Sequence, residues 1–250
     1  MMKDEELLRY SRQLMLPEID VAGQQRLLDA RVALFGLGGL GAPVALYLAA
    51  AGIGTLHLCD PDTVELTNLQ RQILFRSADR GARKVDVAAR ELTARNPGPT
   101  LELHPQRLDG ADLEALCARV DLVIDGTDTF RSRDTINSAC RAARIPLLFG
   151  AAIRWEGQLA LFDARDPASP CYRCLHPQEG DDEDRCAETG VAGPVVGTIG
   201  TLLAVEALKF LCGAGSCAAG ELLHYDALGG RFERFTLPRF AHCPSCGSVA

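Results

Sequence analysis

The sequence predicts an α/β protein: a doubly wound sheet, parallel through its N-terminal half and continuing into antiparallel strands. Three observations predict it. Strand-like and helix-like runs alternate from Arg31 to about residue 150. A glycine-rich loop joins the first strand to the first helix of that series. Beyond residue 150 the alternation gives way to hairpin-like segments. With 250 residues, 47% of them hydrophobic and 24% charged, the chain has ordinary globular composition and enough length for a large core.

Residues 4–30 read as one or two short helices outside the main core. Leu7 and Leu8 offer an apolar face in the first, and Gln24, Gln25, Leu27 and Leu28 suit a second. RVALFG is a strand, LGGLG a loop, APVALYLAAAG a helix and TLHLCD a strand. Together they form a βαβ unit whose crossover helix is buried by small residues. KVDVAARELTARNP is a helix stopped at Asn96-Pro97. LELHPQRL follows as a strand, LEALCARV as a helix, and VDLVIDGTD as a strand ending in acids. RDTINSACRAARIP is a helix and LLFGAAIR a strand. Then EGQLALFDA reads as a hairpin arm, PVVGTIGTLLAVEALKFLCG as a buried helix, and AGELLHYDALGGRFERFTL as a two-stranded meander. No linker divides these segments, so one continuous sheet and a single domain over 1–250 are expected.

Charge and flanks narrow the function classes. A formal net charge of −7 argues against sequence-independent nucleic-acid binding, which needs a positive field. The uncharged run from Val32 to Cys59 is long enough for a membrane span. Its glycines and proline fit strand, turn, helix and strand better, so no membrane partner is expected. The start, MMKDEELLRY, carries acids where a signal peptide has a positive region, which points to the cytoplasm. In a reducing compartment the ten cysteines are more often metal ligands, catalytic groups or core residues than disulfides.

The glycine-rich loop is Gly36-Leu37-Gly38-Gly39-Leu40-Gly41. Glycines there let backbone N–H groups approach phosphate oxygens, and the positive end of the following helix favours an anion. Asp60 closes the next strand, where a carboxylate can hold a ribose hydroxyl. The same loop also fits a tight turn without a ligand. The flanks bear on the choice. DPDTVELTNLQRQILF supplies Asp62, Asn68, Arg71 and Gln72, Lys84 opens the next helix, and Asp128 follows another strand end. A triphosphate carries about four negative charges and needs Arg, Lys or a divalent metal. Arg71 and Lys84 can supply the cations, and Asp128 a hard oxygen ligand for Mg²⁺. Singly, each also fits a surface charge. Together they gather after strand ends, where ligands of open α/β sheets bind.

Cys171-Tyr172-Arg173-Cys174 and Cys243-Pro244-Ser245-Cys246 are both C-x-x-C pairs. Their separation exceeds a zinc-finger spacing, but four thiolates make a closed tetrahedral Zn²⁺ site that would staple the tail to the body. A redox dithiol is the alternative. Cys186 sits in a polar segment after the acidic stretch Glu179–Asp184 and suits a loop bearing a reactive thiol. Cys59, Cys117, Cys140, Cys212 and His57 lie in apolar patterns and read as core, while Cys217 has no assigned role. No Ser-His-Asp set and no H-E-x-x-H pair is present. That suits nucleotidyl transfer to a group that is already a carboxylate, where positioning and charge neutralisation do the catalysis.

RYSRQ, GLGGLG, DPDTVELTNLQRQILF, Lys84, DGTDT, GAAIRWEGQ, CYRC, GVAGPVVGTIGTLLAVEALK and CPSC, in this order over nearly the whole chain, resemble the ThiF/MoeB/HesA family of E1-like adenylyltransferases. The resemblance implies a Rossmann-like nucleotide-binding half at 31–150 and a half at 151–250 that binds a carrier and zinc. It implies ATP and Mg²⁺, and a ubiquitin-like sulfur-carrier protein whose C-terminal Gly-Gly carboxylate attacks the α-phosphorus, releasing pyrophosphate. Gly36, Gly38, Gly39, Gly41 and Asp60 would hold the nucleotide, with Asp62 and Gln72 beside it. Asn68, Arg71 and Lys84 would hold the phosphates, and Asp128 the metal. Arg12 would reach the neighbouring subunit's site, implying a homodimer, and Cys186 resembles a cysteine of sulfur transfer. A sulfurtransferase or cysteine desulfurase would then be a further partner. The usual D-C-T-D-N is here Asp125-Gly126-Thr127-Asp128-Thr129. RYSRQ, CYRCLHP and the Cys186 context look like the ThiF branch of thiamin thiazole synthesis. GAAIRWEGQ looks like the MoeB branch of molybdopterin synthesis. An NAD-dependent oxidoreductase shares the loop but leaves Arg71, Lys84 and the cysteine set unexplained, and a non-catalytic scaffold has no need of them.

Overall fold

The computed structural model describes residues 2–177, 189–215 and 219–247. Cys186, Cys217 and the stretch Glu179–Asp184 lie outside the described residues. Three helices precede the sheet: α1 (Asp4–Arg9), α2 (Ser11–Leu14) and α3 (Asp20–Asp29). Leu7 and Leu8 are 39% and 78% exposed, so the apolar face expected on α1 is only partly covered by the described residues. The second expected helix differs in the other direction. Leu27 of α3 joins the main core, and Gln24 is buried because its Nε2 donates to the Ala51 carbonyl at 3.0 Å.

Alternating elements follow: β1 (Arg31–Phe35), α4 (Gly41–Ala51), β2 (Thr55–Cys59), α5 (Lys84–Arg95), β3 (Thr100–His104), α6 (Gly110–Cys117), β4 (Leu122–Asp125), α7 (Phe130–Ala143) and β5 (Leu147–Ile153). After them come β6 (Glu156–Phe162), α8 (Tyr172–Leu175), α9 (Gly193–Cys212), β7 (Glu221–Asp226) and β8 (Arg231–Thr236). They build one eight-stranded sheet in the order β3-β2-β1-β4-β5-β6-β7-β8. The first five strands are parallel, and every pairing from β5 to β8 is antiparallel. The chain winds outward from β1 in both directions, first to β2 and later to β4. That reversal opens a crevice beyond the C-terminal ends of these strands.

Each element ends for a local reason. The strand expected over LELHPQRL stops at His104, because Pro105 has no N–H for the ladder. Helix α4 ends at Gly52, whose φ of +87° is a left-handed cap. Helix α7 begins under Thr129, whose Oγ1 accepts the Ser132 N–H at 3.2 Å. The central strands β1 and β4 are apolar and buried because helices cover both faces of the sheet. By length and a mean hydropathy of 1.8, α9 could cross a membrane. Instead it packs on α4 and β5, with Val196, Ile199, Leu203 and Ala207 buried in the core. Strand β8 closes the far edge, with all six residues exposed.

The segment between β2 and α5 is held by a carboxylate network. Arg90 donates to Asp79 at 2.6 Å, and Arg76 and Arg95 each donate to Glu91 at 2.9 Å. Burial pushes the Asp79 carboxyl up, but hydrogen bonds from Arg90 and the Arg76 N–H outweigh it and hold the group below its ordinary value. The Arg95 hydrogen bond is the main cause that lowers Glu91. Depressed carboxylates contribute stability above their unfolded values and lose it as the pH falls through the folded ones. The network therefore stabilises the fold above the ordinary values of 3.8 and 4.5 and weakens below them. Urea midpoints measured between about pH 6 and pH 3 check this against the ordinary carboxylate range. The native chain should lose stability over that range. Glu91→Gln should begin less stable at neutral pH and converge on the native chain in acid.

Candidate active site

The crevice is occupied from one side by the glycine-rich loop. Gly36 leaves β1 with a φ of +84°, and a Cβ there would stand 2.9 Å from the Gly126 carbonyl oxygen. The loop then doubles back so tightly that a Cβ on Gly41 would overlap the Gly36 carbonyl oxygen, 1.8 Å away. Gly38 is different: around it a Cβ would meet only the Gln72 Nε2, at 3.6 Å. Its open side faces a cleft of about 680 Å³ lined by residues from β1, β2, α5, α7, β5, α9 and the loop after β4, which is ample for a nucleotide. The N-terminal end of α4 opens onto the same cleft and favours an anion there.

Asp60 fixes the loop. Its Oδ2 accepts the Leu37 N–H at 2.7 Å and its Oδ1 the Asp62 N–H at 2.9 Å. Burial pushes the Asp60 carboxyl above its ordinary value, although Lys84 and both N–H groups oppose it. Each oxygen has a further lone pair for a sugar hydroxyl. Lys84, the first residue of α5, is only 4% exposed. Its Nζ lies 2.8 Å from Asp62 and 3.8 Å from Asp60. Arg71 lines the cleft and donates to the Thr67 carbonyl at 3.0 Å. Gln72 also lines it, is 96% buried by its exposure of 4%, and its Oε1 has no partner among the described residues. An orphaned acceptor and a glycine cradle open to the cleft both fit a bound nucleotide.

Asp128 is exposed at the opposite wall, with a carboxylate free to meet a hard cation. The loop that presents it is held on both sides. Asp125 Oδ1 accepts the Thr127 N–H at 2.9 Å and the Thr127 hydroxyl at 2.7 Å. Arg133 donates to the Thr127 carbonyl through Nε at 3.1 Å and Nη2 at 2.8 Å, with its guanidinium over the Phe149 ring. Burial raises the Asp125 carboxyl, and the Arg133 charge works against that. Thr129, at the position of departure, caps α7, so a helix-capping side chain is retained there.

Two expected residues stand elsewhere. Asn68 is not part of the cleft lining; its Oδ1 accepts the Glu65 N–H at 3.0 Å and closes a local turn. Arg12 is exposed on α2 and does not line the cleft of its own chain. Conversely, Arg107 and Arg131 line the cleft, and neither they nor Arg133 and Asp125 were singled out from sequence. The available signal was position: Arg131 and Arg133 follow a strand end in the first turn of a helix. Among the described residues no histidine lines the cleft, and its one cysteine, Cys59, has a thiol pushed up by burial. Among the described residues the charged equipment of the cleft is cations and carboxylates.

The paired cysteines meet behind α7. Cys171 and Cys243 sulfurs are 3.6 Å apart, Cys174 and Cys246 sulfurs 3.4 Å, and all four lie within 4.8 Å of one another. They are buried and unbridged. Burial works against ionisation of Cys243, but the N–H groups of Cys246 and Ser245 bring its thiol down to about 7. The four could hold a metal ion. Asn137 of α7 joins both halves of the cluster to the cleft wall. Its Oδ1 accepts the Tyr172 N–H at 3.1 Å, and its Nδ2 donates to Ser245 at 2.9 Å.

This chain is similar to known proteins. The chain is 46% identical over 246 residues to the molybdopterin-synthase adenylyltransferase of Escherichia coli K12, covering 98% of each chain. It is 46% identical over 246 residues to that organism's sulfur carrier protein ThiS adenylyltransferase, covering 98% of this chain and 97% of the relative. A crystal structure of E. coli MccB with AMPCPP and MccA superposes with a TM-score of 0.83 at 26% identity, over 96% of this chain and 74% of that one. The model of the ThiF family matches residues 10–246, and the chain belongs to that family.

Proposed function

We propose that this protein is an ATP-dependent adenylyltransferase acting on the C-terminal glycine carboxylate of a ubiquitin-like sulfur-carrier protein of the ThiS kind. The observation that carries the reading is the gathering of Lys84, Arg71 and Asp128 around the open face of the glycine loop. Two relatives of nearly full-length coverage, both named adenylyltransferases, support it. In the reaction a carboxylate oxygen of the carrier forms a bond to the α-phosphorus. The bond from that phosphorus to the bridging oxygen breaks, and pyrophosphate leaves with the electron pair. No proton has to move. What the site must supply is orientation and cancellation of repulsion between two anions.

Gly38, Gly39 and the α4 end cradle phosphates, Asp60 takes the ribose, and Gln72 offers its unpaired acceptor to the nucleotide. Lys84 and Arg71 neutralise charge that builds on the leaving pyrophosphate. Lys84 has two carboxylates beside it, so its charge is fixed at the mouth of the cleft by the fold itself. Asp128 is the ligand we assign to Mg²⁺, which when bound supplies further charge neutralisation at the phosphates. Residues 31–150 form the nucleotide half and 151–250 the carrier half. Arg12 completes the neighbouring site in a homodimer, and a sulfurtransferase or cysteine desulfurase supplies sulfur to the activated carrier. The cysteine cluster binds Zn²⁺, since four converging sulfurs match its tetrahedral preference. The molybdopterin-synthase relative, equally identical, makes the small subunit of that synthase the second candidate carrier.

Pyrophosphate exchange into ATP, run separately with each type of carrier, tests the reading. Exchange should depend on a carrier with an intact C-terminal Gly-Gly, and intact mass should show the acyl-adenylate. Turnover with neither carrier, together with tight NAD binding, would defeat it. Lys84→Ala should lose at least about 2 kcal/mol of transition-state stabilisation, roughly a 30-fold drop in exchange rate. Removing the cysteine-bound ion with a chelator should lower Tm, and added Zn²⁺ should restore it. A Tm indifferent to both treatments would reject a structural metal.

A further inference from the structure

His57, Glu102 and His104 converge on the face of the sheet covered by α6, away from the cysteine cluster. The parallel register pairs His57 with Glu102 and Cys59 with His104, which puts all three side chains on one face of β2 and β3. His57 Nδ1 lies 3.2 Å from His104 Nε2 and 3.3 Å from Glu102 Oε2. All three atoms are within 4.8 Å of one another.

We propose that these residues form a second metal site, which takes a divalent transition ion of the zinc class. A ring nitrogen has one in-plane direction, used either by a proton or by a lone pair. Here a carboxylate oxygen and a second ring nitrogen crowd around that one direction of His57. A tetrahedral zinc ion with bonds of about 2.0–2.1 Å sets neighbouring ligand atoms about 3.3–3.4 Å apart. The two observed separations agree with such edges. Two imidazoles and one carboxylate are also the donor set of open zinc sites, in which water takes the fourth position.

The surroundings give the site a rigid floor and an entrance. His57 is buried at 3% exposure, so its ring is held in place, while the Glu102 side chain is 47% exposed and can close on an ion from solvent. Arg31 and Arg119 bring positive charge nearby, and one carboxylate offsets only part of it. The ion is therefore held more weakly than one at four thiolates. Its place in the fold gives it a task. Strand β3 is the edge of the sheet, and residues 106–109 beyond it line the cleft. The Asp60 N–H donates to the His104 carbonyl at 3.2 Å. An ion bridging β2 and β3 braces the strand end that carries Asp60 and the start of that wall.

The test counts zinc. The full chain is stripped with a chelator and titrated with Zn²⁺, beside the double variant Glu102→Ala/His104→Ala. Both substitutions fall on the exposed edge strand, and circular dichroism checks that the fold survives. The native chain should bind one more equivalent of Zn²⁺ than the variant. Filling of that equivalent should shift the imidazole nitrogen resonances of His57 and His104. The cysteine cluster is common to both proteins and cancels in the comparison. Equal stoichiometry overturns the proposal, as do imidazole resonances that stay put while zinc binds; these three residues are then a hydrogen-bonded cluster only.

Discussion

Asp60 accepts N–H groups from Leu37 and Asp62 and faces the ammonium of Lys84, all in a place that water barely reaches. A buried carboxylate is costly unless it is paired and hydrogen-bonded. Here the glycine loop supplies one donor, the chain just beyond β2 supplies another, and α5 supplies the cation. Loop geometry, the start of the 61–83 segment and the first turn of α5 are thus coupled through one charge. Burial pulls the group towards its neutral form while its partners pull it towards the anion.

The opposite wall obeys the same rule through different groups. Asp128 can face the cleft because nothing else in its loop is free to turn. The Thr127 N–H and hydroxyl are committed to Asp125, and its carbonyl to Arg133. Arg133 is in turn clamped on aromatic rings, and Asn137, one helical turn on, reaches both cysteine pairs. A chain of contacts therefore runs from Ser245 through Asn137 and Arg133 to the loop that carries Asp128. Both cysteine pairs are thus joined through Asn137 to the helix that lines one side of the cleft.

Much of this was legible in the residues. The βαβ rhythm, the glycine loop between strand and helix and the two C-x-x-C pairs each carry a period or spacing that only a few structures satisfy. The run from Val32 to Cys59 was separable from a membrane span because its glycines and proline fit strand, turn, helix and strand. What escaped notice lacks a period. Gln24 looks like a surface residue until the Ala51 carbonyl is found beside it. Arg133 and Asp125 look like solvent charges in DGTDTFRSR, but one turns inward onto Phe149 and the other lies beneath the loop. Asn68 carries the opposite lesson: its amide serves the nearest backbone donor, Glu65 N–H, a local competition that spacing does not reveal.

Strand β8 leaves one row of backbone N–H and C=O groups without a neighbouring strand among the described residues, and Phe232 and Phe235 stand half-open along it. Such a margin invites another molecule's backbone to add on and start a growing stack. The strand reads Arg231-Phe-Glu233-Arg234-Phe-Thr, with Arg231 paired to Asp226 and Arg234 to Glu221 of β7, so an added backbone would meet a rim of charged side chains, and Phe232 is already laid against Tyr225 with ring centroids 4.4 Å apart. Charge at this rim thus works against the addition of another backbone where the sheet ends.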